Sequence, residues 1–470
     1  MDKTEAATGG PYDLVVLGGG PGGYAAALYA ASAGMSVALV ERDKVGGTCL
    51  HRGCVPAKEL LETAAVFRTV AEAAQFGVQA SAPVLELPTS QVRKQKVVDQ
   101  LWKGLSGLMK SRRIEVFQAE GRLQADRSIA LDDGRTVTGR HVLLATGSLP
   151  RSLEGFSFGG RTILSSDEVL DLKELPSTAV VIGGGAIGCE FASLLSDLGS
   201  AVTLIEAMPT LLPGCDEDVV EVVLRSFRKR RIDVRTSTSV TGHHAGGTGT
   251  VVDLADGGSV EAEAVVVAVG RRPLSDGIAE SGAGVALDAR GFVEVDSRMR
   301  TSAEGVWAVG DVVATPQLAH VGFAEAVVAV KDMLGEGPVP VDYHAVPWCI
   351  YSRPEVAFAG YSEEQAKRAG FEVVVKKDPF GGNSRARILG ETDGVVKVIA
   401  ERLPDGRAGR ILGVHMAGPW VTEQLGQAYL AVNWEATPDE VAAYLQPHPT
   451  LSEAFGETVL ALTGRGLHVG

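Results

Sequence analysis

The runs Gly18-Gly-Gly-Pro-Gly-Gly23 and, 165 residues further on, Gly183-Gly-Gly-Ala-Ile-Gly188 constrain this chain more than any other feature. The first fits G-x-G-x-x-G at Gly18, Gly20 and Gly23, and the second at Gly183, Gly185 and Gly188. In this pattern the first glycine makes a tight turn and the second lets backbone approach a pyrophosphate. The third lets a helix pack closely on a strand. The helix that opens there turns its N-terminal N–H groups and its positive dipole end toward the phosphates. Each copy follows a short apolar run (12–17 and 178–182) and opens a helical segment. Each then reaches a second apolar run (36–40 and 201–205) ending on an acid 23 residues after the first glycine. Those acids, Glu41 and Glu206, stand where a carboxylate accepts from ribose hydroxyls. Strand, turn, helix, strand, written twice, is the signature of a parallel α/β chain with two Rossmann-like dinucleotide-binding domains. No Arg or Lys follows Glu206 in Ala-Met-Pro-Thr-Leu-Leu-Pro. A carboxylate there repels a 2′-phosphate, so the second site reads as one for NAD rather than NADP.

Length leaves room for more. At roughly 150 residues per domain, 470 residues imply about three. Further buried strands are expected at 141–147, 265–269 and 305–311, and a long helix at 89–112 with Val98, Leu101, Leu105 and Leu108 on one stripe. The Gly/His-rich stretch 242–250 reads as a hairpin loop. From about residue 346 the texture changes to alternating strands followed by helices, a separate α+β domain. The net charge of −14 argues against nucleic acid or an anionic membrane as main partner. No apolar stretch reaches the 18 or so residues of a membrane span, and the first residues resemble neither a secretory nor a transit leader. Five cysteines do not make a disulfide scaffold, so a cytoplasmic location is expected.

Two of those cysteines, Cys49 and Cys54, sit in Gly-Gly-Thr-Cys-Leu-His-Arg-Gly-Cys-Val-Pro-Ala-Lys, one βαβ unit after the first glycine loop. Thiols this close at a helix start can close into one reducible disulfide, and the helix N-terminus favours the thiolate. Gly53 allows close approach, and Lys58 lies one turn beyond Cys54. Cys189, Cys215 and Cys349 read as buried small residues. His243 and His244 are adjacent but lack further ligands, so no metal is expected.

The string GGTCLHRGCVPAKELL resembles the active-site signature of the flavoprotein disulfide reductases. Both glycine loops, Ala145-Thr-Gly147, Gly270-Arg-Arg-Pro273, Gly310-Asp311 and His448-Pro-Thr-Leu-Ser-Glu453 extend the resemblance over essentially the whole chain. Gln317-Leu-Ala-His320, Pro354-Glu-Val-Ala357 and His448 to Phe455 are similar to the members that oxidise dihydrolipoamide. The resemblance implies FAD at the first loop, with Gly18, Gly20, Gly23, Glu41, Gly47, Thr48, Lys58, Gly121, Asp311 and Ala319 as contacts. It implies NAD at the second, with Gly183, Gly185, Gly188, Glu206, Val240 and Gly270. Residues 1–150 and 276–345 would form the two parts of an FAD-binding domain, 151–275 an NAD-binding domain and 346–470 a dimerisation domain. Cys49 would exchange with substrate and Cys54 face the flavin. His448 would be the acid/base, oriented by Glu453, and Glu190 would pair with Lys58. In this family the histidine serves the cysteine pair of a partner subunit, so an obligate homodimer is implied.

The implied reaction is oxidation of protein-bound dihydrolipoamide to lipoamide, with electrons passing through FAD to NAD. The partners would be lipoyl domains of 2-oxoacid dehydrogenase or glycine cleavage complexes. Two other readings are weighed: an NAD(P)H-dependent reductase of a glutathione- or mycothiol-type disulfide, and a non-catalytic flavoprotein assembly subunit. Glu206 discriminates against the first, and the intact set Cys49, Cys54, Lys58, His448 and Glu453 against the second. The chain departs from the family pattern at His51-Arg52, Ala57, Gln446 and Trp420-Val421.

Overall fold

The computed structural model describes residues 11–160 and 162–469, so the N-terminal run read above as lacking a leader falls outside them. The chain forms two compact units. Among the described residues, the first comprises 11–60, 88–151 and 270–343. Its centre is a five-stranded parallel sheet in the order Val306–Ala308, Gly139–Leu144, Tyr12–Leu17, Val37–Glu41, Glu115–Gln118. Leu14 to Val16 and Ala38 to Val40 are fully buried, the near-continuous apolar run expected of parallel strands covered on both faces. One face packs on the helices Pro21–Ser32 and Ala319–Met333. The other packs on a three-stranded antiparallel sheet of Gly121–Leu123, Ile129–Leu131 and Thr136–Val137.

Among the described residues, the second unit comprises 61–87, 152–160, 162–269 and 344–469. It repeats the same design. A parallel sheet runs in the order Asp233–Arg235, Ala201–Ile205, Thr178–Ile182, Ala264–Val267, Ile163–Leu164. A three-stranded antiparallel sheet of Val240–Ala245, Thr250–Leu254 and Ser259–Ala262 packs against it. A second, five-stranded antiparallel sheet follows, in the order Trp348–Ile350, Glu355–Gly360, Ala408–Gly418, Val395–Arg402, Val373–Pro379. Its central strands are covered on both faces, so their burial is near-continuous. Val396, Val398 and Ala400 pack under the helices Val421–Asn433 and Glu453–Leu462, while Ile399 joins Leu412 and Ala366 on the opposite face. Lys397 on that opposite face is buried, and its charge is matched by Asp216 at 2.9 Å, Asp218 at 2.7 Å and Glu363 at 2.7 Å. The α/β class, with two Rossmann-like sheets and a C-terminal α+β region, is thus realised.

Three local expectations change. Residues 242–245 are strand rather than loop: Val240–Ala245 pairs with Thr250–Leu254, and only 246–249 turns. The long helix runs Leu87–Ser111, but Leu101 and Leu108 stand 49% and 41% exposed. Its buried residues are Leu87, Lys94, Val98 and Met109, and Leu105 of the expected row packs part-buried on the core while Leu101 and Leu108 face outward. Of the remaining cysteines, only Cys189 is buried; Cys215 and Cys349 are part-exposed. Among the described residues no helix is long and apolar enough to cross a membrane, and no cluster of three or more metal-ligating side chains is present.

Candidate active site

The first glycine loop closes the strand Tyr12–Leu17. Gly18 adopts φ +104°, and a Cβ there would lie 2.3 Å from the Ala145 carbonyl oxygen. A Cβ on Gly23 would lie 1.8 Å from the Gly18 oxygen, so the helix can sit on the strand only with glycine at that point. Gly20 caps the helix, and a Cβ there meets nothing within 4 Å. Its backbone therefore faces open space at a helix N-terminus, the cradle a pyrophosphate needs. Glu41 turns back on the loop: Oε2 accepts from Gly19 N–H at 2.7 Å and Oε1 from Asp43 N–H at 2.8 Å.

The second loop matches it. Gly183 has φ +111°, a Cβ on Gly188 would lie 1.8 Å from the Gly183 oxygen, and Gly185 again faces open space. Glu206 accepts from Gly184 N–H and, at 2.7 Å, from Met208 N–H. Val240 opens its strand and packs, half-buried, against the apolar core of that unit. Gly270, with φ +103°, falls in the first unit, where its carbonyl accepts from Arg151 N–H at 3.0 Å. Both loops thus fit a dinucleotide.

The cysteines lie where one short helix gives way to another. Gly46 N–H donates to the Gly19 carbonyl at 2.8 Å, and Gly47 passes so close to Gly20 that a Cβ would sit 2.6 Å from its Cα. Thr48 and Cys49 follow in the helix Gly47–Arg52, which ends at Gly53; Cys54 then opens the helix Cys54–Ala71. A Cβ on Gly53 would press to 3.1 Å from the Thr48 carbonyl, so glycine permits the joint. The result brings the two thiols together: Cys49 and Cys54 are hydrogen-bonded side chain to side chain. That bond, followed by burial, pushes the Cys49 thiol far up, while Lys58 pulls it down. Tyr24, on the glycine-loop helix, is raised to about 12 by burial and then by the two cysteines. His51 is used locally: its Nε2 pairs with the Val45 carbonyl at 3.0 Å, and Arg52 bridges to Asp43.

Asp311 lies in the Gly310–Val312 turn after the strand Val306–Ala308. Ser148 Oγ donates to its Oδ2 at 2.6 Å, and Arg271 grips Ser148 through Nε at 2.7 Å and Nη2 at 2.9 Å. Ala319 starts the helix Ala319–Met333. Gly121 is a packing glycine, since a Cβ would strike Ile129, Leu17 and Val40 within 2.9 Å. Ser148 and Arg271 were not singled out from sequence. Their signal was present in Ala145-Thr-Gly147 and Gly270-Arg-Arg-Pro273, as the residues those glycine turns place opposite Asp311.

In the second unit His448 and Glu453 meet. Nδ1 of His448 pairs with Glu453 Oε1 at 2.8 Å, and Glu453 Oε2 accepts from Thr450 N–H at 2.7 Å. The imidazole is 69% exposed with Nε2 outward from this pair, so a carboxylate holds one nitrogen and leaves the other for chemistry. Glu190 is buried and accepts from Tyr351 N–H at 2.9 Å. Gln446 lies over Gly456, whose Cβ would strike it at 2.6 Å. Trp420 caps the helix Val421–Asn433 in the left-handed region at φ +51° and is 52% exposed.

Residues 12–326 match the pyridine nucleotide-disulphide oxidoreductase family model, and residues 346–459 match that family's dimerisation domain. The dihydrolipoyl dehydrogenase of Bacillus subtilis is 40% identical, over 97% of this chain and 99% of its own. That of Thermus scotoductus is 39% identical over the same shares. The leghemoglobin reductase of Glycine max is 37% identical over 96% of this chain and 87% of its own. Among solved structures, LpdA of Mycobacterium tuberculosis superposes with a TM-score of 0.89 at 27% identity, over 96% of this chain and 99% of that one. The HOCl-induced flavoprotein disulfide reductase of Escherichia coli gives 0.85 at 26% identity, with shares of 96% and 99%.

Proposed function

This chain belongs to the pyridine nucleotide-disulphide oxidoreductase family, and from that premise we propose that it oxidises protein-bound dihydrolipoamide to lipoamide at the expense of NAD+. The observation that carries the proposal is the contact of Cys49 with Cys54 at the Gly53 joint, beside the first glycine loop. Bound FAD supplies the two-electron relay between that thiol couple and the nicotinamide. Gly18, Gly20, Gly23, Glu41, Gly47, Thr48, Lys58, Gly121, Asp311 and Ala319 would hold FAD. Gly183, Gly185, Gly188, Glu206, Val240 and Gly270 would hold NAD.

The chain's own residues then divide the chemistry. His448 Nε2 takes the proton of one substrate thiol, and Glu453 on Nδ1 fixes the tautomer that makes Nε2 the base. The substrate thiolate attacks Cys49 Sγ in the disulfide form. The Cys49–Cys54 bond breaks, and Cys54 leaves as thiolate. The second substrate thiol then displaces Cys49, closing lipoamide and leaving both electrons on the cysteine pair. Lys58, which already favours the anionic form of Cys49, balances the charge. Assembly as a homodimer is supported by the dimerisation-domain match, and His448 would serve the cysteines of the second copy. The partners would be lipoyl domains of 2-oxoacid dehydrogenase or glycine cleavage complexes in the cytoplasm.

Anaerobic stopped-flow tests this. Mixing the yellow protein with dihydrolipoamide and NAD+ should give rapid NADH through a red-shifted thiolate-to-flavin charge-transfer band. Silence there, with fast NADPH oxidation by glutathione disulfide, would overturn both the substrate and the nucleotide preference.

A further inference from the structure

Glu325 lies in the middle of the helix Ala319–Met333 and is 0% exposed. A carboxyl group is costly to bury and persists only where its oxygens are satisfied. Here both are engaged. Oε2 accepts from the Gly310 N–H at 2.6 Å, and Oε1 from the Tyr343 hydroxyl at 2.9 Å. Burial pushes the carboxyl up; the Thr315 hydroxyl, the Gly310 N–H and the Tyr343 hydroxyl pull it down, and the nearby Asp311 charge adds a smaller upward push.

Gly310 is the first residue of the turn that carries Asp311. It adopts φ +72°, a region glycine enters without steric cost and leaves as easily, so the turn is fixed by its surroundings rather than by its own backbone. The surroundings do so on three sides. A Cβ on Gly322, one turn before Glu325, would lie 3.3 Å from Gly22 N and 3.6 Å from Gly310 Cα. A Cβ on Gly22 would lie 2.9 Å from Val309 and 3.7 Å from Gly310 N. The turn is therefore wedged between the first glycine-loop helix and the helix of Glu325, with the carboxylate beneath it. Beyond Gly310, the Asp311 side chain is received by Ser148 at 2.6 Å.

We propose that Glu325, braced by Tyr343, is a positioning residue: through the Gly310 N–H it sets the turn that presents Asp311 to FAD. This rests on the proposed FAD contact of Asp311. Glu325 reaches the cofactor only through Asp311, so its contribution to binding should disappear when Asp311 is removed.

FAD affinity of the apoprotein, followed by quenching of flavin fluorescence, tests this with Glu325→Ala, Glu325→Gln, Asp311→Ala and the Glu325→Ala/Asp311→Ala double variant. We expect Glu325→Ala to weaken FAD about 10-fold alone and less than about 2-fold in the Asp311→Ala background, a non-additive cycle. Glu325→Gln should stay within about 3-fold, because its amide can accept from Gly310 and donate to the Tyr343 oxygen. If Glu325→Ala does not fold, Tyr343→Phe replaces it in the same cycle, with a loss of about 3-fold that again vanishes without Asp311. Equal losses in both backgrounds, or no loss at all, would overturn the positioning role alone. Unchanged FAD affinity in Asp311→Ala would instead overturn the Asp311 contact, and the proposal with it.

Discussion

The two glycine loops share one backbone to within a few degrees, yet the chain that passes over each is different. Gly20 caps its helix at φ −70°, ψ −174°, and Gly185 at φ −74°, ψ −175°. Each third glycine would strike the first at 1.8 Å, and each strand-end acid holds the N–H of the glycine between. Divergence begins five residues after the acid. Over the first loop come Gly46 and Gly47, with Gly46 N–H on the Gly19 carbonyl at 2.8 Å. Over the second come Leu211 and Leu212, fully buried, with Leu212 N–H on the Gly184 carbonyl at 2.9 Å. Leu212 accepts φ +51° to do so, at a cost of order 1 kcal/mol or more. Glycines bring two successive helices, each carrying one thiol, down onto the loop, whereas leucines seal the same place with apolar bulk. On the proposed function, a single frame would serve electron exchange in one copy and plain dinucleotide binding in the other.

Substitutions at matched positions test how far that division holds. The largest contrast is between Cys49→Ser and Cys215→Ser, since Cys215 follows Leu211-Leu212 much as Cys49 follows Gly46-Gly47. Cys49→Ser should lower lipoamide turnover on the order of 10³-fold or more with FAD retained, while Cys215→Ser stays within about 2-fold. Near-wild-type turnover in Cys49→Ser would refute the mechanism. Next come the third glycines. A methyl pressed to 1.8 Å from a carbonyl oxygen must displace the helix, an overpacking cost of about 1–3 kcal/mol or more. Gly23→Ala should purify without flavin. Gly188→Ala should remain yellow but bind NADH roughly 10- to 100-fold more weakly by fluorescence titration. Loss of flavin from both would mean the loops are not independent.

Smaller effects are expected at the acids. Glu206→Ala removes the carboxylate expected to accept from the ribose hydroxyls, a charge-assisted bond of about 2 kcal/mol, and should raise the KM for NAD about 30-fold with flavin content unchanged. Glu41→Ala should do the reverse, releasing FAD and sparing nucleotide affinity; identical phenotypes would erase the distinction. Smallest is His51→Ala. Its bond to the Val45 carbonyl is worth about 1 kcal/mol, so the melting temperature should drop a few degrees with turnover within about 3-fold. A large loss of turnover would assign His51 to the chemistry.

What could be read in advance follows the physics of each position. The glycine loops were legible because a turn at φ above +100° and a helix contact at under 2 Å admit one residue type at fixed spacing. The His448–Glu453 pair was legible from resemblance and lies within one turn of chain. Asp311 is singled out by Gly310-Asp311, but Ser148 and Arg271 beside it are not, because three residues at 148, 271 and 311 converge only when the strand Val306–Ala308 joins its sheet. The strand at Val240–Ala245 was missed because its glycine and histidines carry no period-two apolar signal; pairing with Thr250–Leu254 decides it. Leu101 and Leu108 looked like core on spacing alone, and packing chose Val98 and Met109.

That late strand has a consequence for the protein's birth on the ribosome. The second parallel sheet draws all its strands from residues 163–267, so it can close as soon as that stretch emerges. The first sheet lacks its edge strand until residue 308 has been made, although its neighbour ends at Leu144. At about 5–20 residues per second, synthesis of the intervening chain takes on the order of 10–30 s. During that interval the cysteine helices sit on a sheet with an open edge. The later-encoded dinucleotide fold is therefore expected to mature first, and the thiol-bearing one to wait for it.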